Sequence, residues 1–283
     1  MPIDPVLEKE YDNRGRVPEH PEIFARWHRD AEAYRQTPGA QIGLSYGPSP
    51  RQTIDILPAK PASPTAPLAL FIHGGWWRTL APSEFSHVAA GANANGVDVA
   101  LAGYDLCPNV SIATIIEQMR AACLFLWRRT RKRIMVFGYS AGGHLTACML
   151  ATDWKTLAPD VPADLVPAAY AISGVYDLAP LTKISPNQDF KLDDKSAHDL
   201  SPIYWAVPNG RVFDAVVGAE ESSEFLRQSR TIAEAWRQGM AQTRYEEIAD
   251  ANHFTILDPL VHADSAMNKR VVELAKQVAA MTL

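Results

Sequence analysis

The sequence predicts an α/β protein in which helices flank a mostly parallel central sheet of about eight strands, and three observations support this class. Short apolar runs alternate with helical patterns along most of the chain. The later runs are continuously apolar, as expected of strands that are covered on both faces. With 283 residues, of which 47% are hydrophobic, the chain is long enough to bury one large core. We therefore expect residues 1–283 to form a single domain.

Two helical segments precede the predicted sheet. They lie around Pro5 to Tyr11 and around Glu22 to Tyr34, and Pro18 and Pro21 interrupt the chain before the second segment. The second segment carries aromatic residues at spacings of three and seven, which is enough to pack one helix face on a core.

Seven apolar runs are expected to be strands. They are Thr53–Leu57, Leu68–Ile72, Val97–Leu101, Ile134–Phe137, Ala168–Ile172, Val212–Val217 and Thr243–Ile248. The stretch at 58–67, rich in Pro and Ala, joins the first two runs and is expected to be an exposed hairpin loop.

Helical patterns lie between these runs. Ser111 is the predicted N-cap of one helix, a second helix is expected to begin near Ser222 and end at Gly239, and the last begins near Asp264. A polar excursion at 182–206 interrupts the alternation. Long insertions at such a place are usually functional covers or irregular surface loops.

Composition excludes several classes of protein. A net charge of −5 and a pI near 5.9 do not suit a nucleic-acid partner or an anionic membrane surface. The start lacks a secretion signal, and no apolar stretch is long enough to span a bilayer. Cys107, Cys123 and Cys148 are widely spaced, which argues against a disulfide framework and a thiolate zinc site. We expect a cytoplasmic protein, and a homodimer is one option that the sequence leaves open.

The stretch GYSAG at Gly138–Gly142 fits the motif GxSxG, between an apolar strand and a helical pattern. A sharp turn from strand to helix forces the central residue into a strained conformation and exposes its side chain. A serine hydroxyl at such a turn can attack a carbonyl carbon when a base removes its proton. Ser140 is therefore the candidate nucleophile.

His253 is the candidate base. In doubly wound hydrolases the order along the chain is Ser, then Asp or Glu, then His, with the His after the last core strand. His253 follows the last predicted strand, whereas His198 lies in the polar excursion and His262 near the last helix.

The acid that orients the base is expected after the penultimate strand, where Glu220 and Glu221 stand side by side. One of the two is needed, and the other would be a carboxylate at a helix N-terminus, which the helix dipole favours. Asp250, in the loop before His253, is the next candidate.

The stretch HGGWW at His73–Trp77 follows a predicted strand. Its glycines allow the loop to turn its amides outward, and the amide of Ala141 is a second donor for an oxyanion that forms when Ser140 attacks. His73 is expected to be a structural hydrogen-bonding residue of this loop. Aromatic residues near the motifs are candidates for substrate contact, and they are Trp76, Trp77, Tyr139, Tyr204, Trp205 and Phe254.

Together these stretches resemble the α/β-hydrolase superfamily, and within it the kynurenine formamidase (arylformamidase) branch with its neighbouring carboxylesterases. The resemblance rests on HGGWW, GYSAGGH, YDLCP at Tyr104–Pro108, EESSEFLRQS at Glu220–Ser229 and NHF at Asn252–Phe254. It covers most of the chain and implies the following roles: Ser140 as nucleophile, Glu221 as acid, His253 as base, and Gly75, Trp76 and Ala141 as oxyanion donors. It also implies that the protein uses no metal and no cofactor.

The expected function is cleavage of a small ester or amide through an acyl-enzyme, with an aryl formamide as one candidate substrate. A general carboxylesterase acting on short acyl chains is the alternative, and a ligand-binding pseudoenzyme is a remote one. A lipase that acts at a lipid interface is disfavoured because the excursion at 182–206 is too polar for an apolar lid.

Overall fold

A computed structural model describes residues 2–239 and 241–281 of the chain. Its central sheet has eight strands, as the fold class predicts. The strands are β1 (Gln41–Ser45), β2 (Thr53–Leu57), β3 (Leu68–Ile72), β4 (Asp98–Ala102), β5 (Ile134–Tyr139), β6 (Ala168–Ile172), β7 (Val212–Gly218) and β8 (Gln242–Ile248).

The strands lie in the order β1-β2-β4-β3-β5-β6-β7-β8. The pairs β1/β2 and β2/β4 are antiparallel, and all later pairs are parallel. The loop at 58–67 therefore does not close a hairpin, contrary to the expectation from the sequence, because β4 lies between the two strands that it joins. The hairpin is formed instead by β1 and β2, and β1 was absent from the predicted strands.

Eleven α-helices lie in the part of the chain that the structure describes. They are α1 (Pro5–Tyr11), α2 (Asn13–Arg16), α3 (His20–Arg35), α4 (Ala90–Ala94), α5 (Ile112–Thr130), α6 (Ala141–Leu150), α7 (Trp154–Leu157), α8 (Asn187–Phe190), α9 (Asp194–Asp199), α10 (Ser223–Gln238) and α11 (Ala266–Ala279). Ser111 caps α5 through a bond from the amide of Thr114, and Ser222 caps α10 in the same way. None of these helices is long and apolar enough to cross a membrane.

The core consists of two layers, one on each face of the sheet. Successive side chains of a strand point to opposite faces, so Leu70 and Val136 lie in one layer while Phe71 and Phe137 lie in the other. Helices α5, α6 and α10 cover the first layer, and α3 and α11 cover the second. The carboxyl ends of the parallel strands remain open to the loops that follow them, where ligand sites of such sheets lie.

Two segments far apart in sequence meet above this edge. Helix α1 and its N-cap Asp4 bond to the polar excursion, where the amide of Asp4 donates to the carbonyl of Lys183 at 2.8 Å. Glu8 accepts bonds from the amide of Ser185 at 2.7 Å and from its hydroxyl at 2.5 Å. We call residues 5–17 and 182–190 together the roof.

Candidate active site

Ser140 lies between the end of β5 and the start of α6. Its backbone has φ 58° and ψ −118°. Residues other than glycine rarely adopt this conformation, so the surrounding packing must enforce it. Gly142, two residues after Ser140, lies close to the end of β3. A Cβ atom at this position would lie 1.9 Å from the carbonyl oxygen of Ile72, so a residue with a side chain does not fit. This turn presents the Ser140 hydroxyl at the carboxyl edge of the sheet.

Three predicted side chains form one continuous hydrogen-bonded row. Nε2 of His253 lies 3.1 Å from Oγ of Ser140, and Nδ1 of His253 lies 2.5 Å from Oε2 of Glu221. Because the carboxylate accepts from Nδ1, Nε2 is left to accept the Ser140 proton. The His253 and Glu221 side chains are only 6% and 0% exposed, so the row is shielded from water.

The surroundings of the two neighbouring glutamates differ. Besides His253, Glu221 receives hydrogen bonds at Oε1 from the Ser173 hydroxyl at 2.5 Å and from the Gly218 amide at 2.8 Å. Glu220 and Asp250 are exposed and make no side-chain bond to His253. The structure therefore brings Glu221, and neither of the other two candidates, to the histidine.

The His253 loop is held in place by its neighbours. The imidazole packs between the rings of Phe225 and Tyr139, with centroid distances of 4.6 and 5.1 Å. The Tyr139 hydroxyl donates to the His253 carbonyl at 2.7 Å. Burial, with the nearby Glu221 carboxylate, raises the pKa of this hydroxyl well above its ordinary value, so Tyr139 stays a donor.

The HGGWW loop carries the candidate oxyanion donors. Gly75 has φ +105°, and a Cβ atom there would lie 2.3 Å from the carbonyl oxygen of Thr79, so glycine is required. Within residues 2–239 and 241–281, the amides of Gly75, Trp76 and Ala141 donate to no protein acceptor. Unpaired amides beside a nucleophilic serine are the donors that an oxyanion needs.

His73 stabilises the HGGWW loop through buried contacts. Its Nδ1 donates to the Gly74 carbonyl at 2.7 Å, and its ring stacks on Tyr104 with a centroid distance of 4.3 Å. The Tyr104 hydroxyl donates to the His73 carbonyl at 2.8 Å. Burial lowers the pKa of His73 to about 3, so the ring is neutral near pH 7.

The two tryptophans of the loop point in different directions, which corrects one expectation from the sequence. Trp76 lines the cavity at Ser140, but Trp77 is fully buried and does not. Its ring packs against His144 and Phe190, at centroid distances of 5.1 and 5.5 Å. Both tryptophans have positive φ values, 56° and 52°, so the loop coils and turns the second side chain into the core.

A cavity of about 230 Å³ opens in front of Ser140. The predicted contact residues Tyr139 and Phe254 line it, whereas Tyr204 and Trp205 do not. Trp76, Ser140 and His253 line it as well. The roof closes the remaining side, through Glu8, Tyr11, Asp12, Asn13, Arg14, Ile184, Ser185 and Pro186.

Sequence reasoning missed two kinds of site residue. Ser173 follows β6 directly and has φ 51°, but a serine after an apolar run is not a distinctive signal. Tyr11 and Asn13 precede the nucleophile by more than a hundred residues, and both are buried. Their burial depends on tertiary contacts that no local pattern encodes.

No group of three or more His, Cys, Asp or Glu side chains within the described ranges is arranged to hold a metal ion. His144, one turn after Ser140, is fully buried and donates from Nε2 to the Leu200 carbonyl at 2.8 Å. These contacts are structural and leave His144 outside the hydrogen-bonded row of Ser140, His253 and Glu221.

Comparison with known proteins extends these observations. A family model described as the alpha/beta hydrolase fold matches residues 69–257. A kynurenine formamidase of Danio rerio is 26% identical over an alignment of 251 residues, which covers 86% of this chain and 84% of that protein. A kynurenine formamidase of Drosophila melanogaster is 27% identical over 80% of this chain and 78% of its own length.

Solved structures show the same fold. A protein of Silicibacter sp. TM1040, for which thioesterase activity has been suggested, has a TM-score of 0.83 at 30% identity and covers 97% of this chain and 99% of its own. An esterase from Pyrobaculum calidifontis has a TM-score of 0.69 at 16% identity, over 99% of both chains. The predicted fold class is thus confirmed, and the chain belongs to the family of proteins with the α/β-hydrolase fold.

Proposed function

We propose that the protein is a serine hydrolase that cleaves small esters or amides, with Ser140 as nucleophile, His253 as base and Glu221 as acid. The observation that carries this proposal is the row of hydrogen bonds from Glu221 through His253 to Ser140, at a strained turn that faces a cavity. A histidine that bonds a serine on one side and a buried carboxylate on the other has the geometry of a catalytic triad.

The first half of the reaction forms an acyl-enzyme. Oγ of Ser140 attacks the substrate carbonyl carbon while Nε2 of His253 takes the serine proton. The carbonyl oxygen becomes an oxyanion, which accepts hydrogen bonds from the unpaired amides of the Gly75–Trp76 loop and of Ala141. When the tetrahedral intermediate collapses, the bond to the leaving group breaks and His253 gives its proton to the departing oxygen or nitrogen.

The second half returns the free enzyme. A water molecule attacks the acyl carbon, loses a proton to Nε2 of His253, and forms a second tetrahedral intermediate at the same amides. Collapse of this intermediate breaks the bond to Ser140 Oγ, which regains the proton. Glu221 accepts from Nδ1 of His253 throughout and stabilises the imidazolium, and the Ser173 hydroxyl and the Gly218 amide hold its carboxylate in place.

Aryl formamides are the substrate class that we place first. The curated relatives are named kynurenine formamidases, and they match more than three quarters of this chain. The cavity is lined by aromatic rings, among them Trp76, Phe24 and Phe254, which suit a flat aryl group. Short-chain carboxylic esters are the second candidate, because the same machinery cleaves them and the structural neighbours include esterases.

We also propose a cytoplasmic location and small-molecule substrates as the only ligands of the site. The three cysteines are free and buried, which fits a reducing compartment. The net charge of −5 does not favour a nucleic-acid partner. A homodimer stays a proposal that light scattering can test.

The decisive experiment compares hydrolysis of N-formyl anilines with that of p-nitrophenyl acetate and butyrate. We expect turnover of both classes and a higher kcat/KM for the formanilides. Treatment with a fluorophosphonate should leave an adduct on Ser140, and Ser140→Ala should abolish both labelling and turnover. Faster hydrolysis of the esters would favour the carboxylesterase. Labelling elsewhere would overturn the assignment, and the absence of both turnover and labelling would indicate a ligand-binding pseudoenzyme.

A further inference from the structure

Asn13 is a buried polar residue in the active-site cavity that the mechanism above does not use. It begins α2 and is 6% exposed. Its Nδ2 donates to no protein acceptor within residues 2–239 and 241–281. Burying an amide donor without a partner is unfavourable, so such a group in a cavity is suited to bind a ligand.

The position of Asn13 relates it to one part of the substrate. It lines the cavity at Ser140, and it also lines a recess of about 360 Å³ on the Glu221 side of His253, together with Asn252. Asn13 therefore lies on the His253 side of the nucleophile. The leaving group must occupy that side, because His253 returns its proton to the departing atom.

We propose that Asn13 determines specificity by donating a hydrogen bond from Nδ2 to an acceptor oxygen on the leaving group of the substrate. This inference rests on the proposed function, since it requires a substrate acylating Ser140. It adds that preferred leaving groups carry a carbonyl or similar oxygen in addition to the reacting atom. A site whose buried donor stays unpaired discriminates against substrates that lack the acceptor.

The surroundings of Asn13 argue against a purely structural role. The cap of α2 is supplied by Asp12, which accepts the Gly15 amide at 2.9 Å. The Asn13 backbone carbonyl accepts the Val17 amide at 3.1 Å, and any residue at this position could supply that carbonyl. Replacing the Asn13 side chain therefore removes no hydrogen bond among residues 2–239 and 241–281.

The test uses two aryl esters, meta-acetylphenyl acetate and meta-trifluoromethylphenyl acetate. Both substituents withdraw electrons from the leaving phenolate to a similar degree, but only the acetyl group presents a good acceptor oxygen. The ratio of kcat/KM for the two esters therefore reports a hydrogen bond to the leaving group and not its chemical reactivity.

Asn13→Leu, which keeps the volume and removes the donor, should lower this ratio about fivefold, the order of magnitude of one neutral hydrogen bond. Its melting temperature should not fall, because an unpaired buried group has been removed. Asn13→Ala should shift the ratio in the same direction if the leucine variant fails to fold. Arg16→Gln is the matched control, since this exposed side chain lines only the recess, and it should keep the wild-type ratio.

An unchanged ratio in the Asn13 variants would overturn the proposal and leave the hydrolase assignment intact. An equal loss for both esters would also overturn it, because the side chain would then act on the catalytic geometry. If the wild-type protein hydrolyses neither ester nor any formanilide, the proposed function fails and this inference fails with it.

Discussion

The carboxyl edge of the sheet and the roof above it are built by different means. At the edge, Ser140, Glu221 and His253 are nearly excluded from water, and they lie in the turn or loop that follows β5, β7 and β8, respectively. The two segments of the roof are joined to each other by surface contacts such as Glu8 with Ser185, and buried rings such as Tyr11 and Phe190 pack the roof against the core. The strands thus set the positions of the reacting groups, whereas two segments that bond to each other at the surface set the shape of the cavity.

The largest expected effect tests the edge. Glu221→Gln should lower kcat by about 10⁴, by analogy with the loss of the triad carboxylate in a serine protease. Glu220→Gln is the matched control, because this neighbour is exposed and makes no bond to His253, and it should stay within about twofold. Steady-state kinetics on both variants, with circular dichroism as a check on folding, provide the measurement. A large loss of kcat in Glu220→Gln would contradict the assignment of Glu221 as the acid.

The difference between the two regions also explains what the sequence could predict. The positions of residues at the edge can be predicted from local patterns. An apolar strand, a GxSxG turn and a helix locate Ser140, and the order of the motifs along the chain locates His253. The choice between Glu220 and Glu221 needed the family resemblance, since neighbouring carboxylates in a loop are equivalent by pattern. The structure separates them because only Glu221 turns inward to the Ser173 hydroxyl.

The roof and the start of the sheet depend on long-range contacts and were not predictable in this way. Strand β1 is an edge strand with exposed residues on both faces, so it has no apolar alternation to detect. The loop at 58–67 was misread because sheet order is not sequence order. Trp77 was misplaced because two consecutive positive φ values reverse the direction of a side chain, which composition does not reveal.

His144 links the edge to the polar excursion and gives the second prediction. Its Nε2 donates to the Leu200 carbonyl, and burial lowers its pKa from 6.5 to about 4. Between these values the unfolded chain binds a proton that the folded protein does not, so stability falls as the pH falls through this window. Lowering the pH from about 7 to about 5 should cost on the order of 2 kcal/mol through this residue.

His144→Gln, which keeps a donor near Nε2 but does not titrate, should remove that part of the loss. Urea unfolding of both proteins at the two pH values measures it. Burial lowers the pKa values of His73 and His87 to about 3 and about 4. The free energy of unfolding of the variant will therefore still depend on pH, but less steeply than that of the wild type. Equal losses in wild type and variant would show that His144 does not contribute.

Ser173 gives the third prediction, again at the edge. It does not line the cavity at Ser140, but its hydroxyl donates to the Glu221 carboxylate, so it is a positioning residue. Ser173→Ala should lower kcat about tenfold with KM nearly constant, as expected when an orienting hydrogen bond is lost. Ser173→Gly is the control for backbone strain, because the residue has φ 51°. Equal loss of kcat in both variants supports the hydrogen bond, and full activity in the glycine variant contradicts it.

The smallest expected effect tests the roof. Glu8→Ala removes both bonds to Ser185, which lie at the protein surface, and such contacts contribute about 1 kcal/mol or less. We expect hydrogen exchange to accelerate in residues 5–17 and 182–190, and KM to rise about threefold with kcat unchanged. Lys195→Ala is the control, because its ion pair with Asp199 lies on α9 away from the cavity. A fall in kcat comparable to that of Glu221→Gln would mean that the roof positions the reacting groups, and the distinction between the two regions would no longer hold.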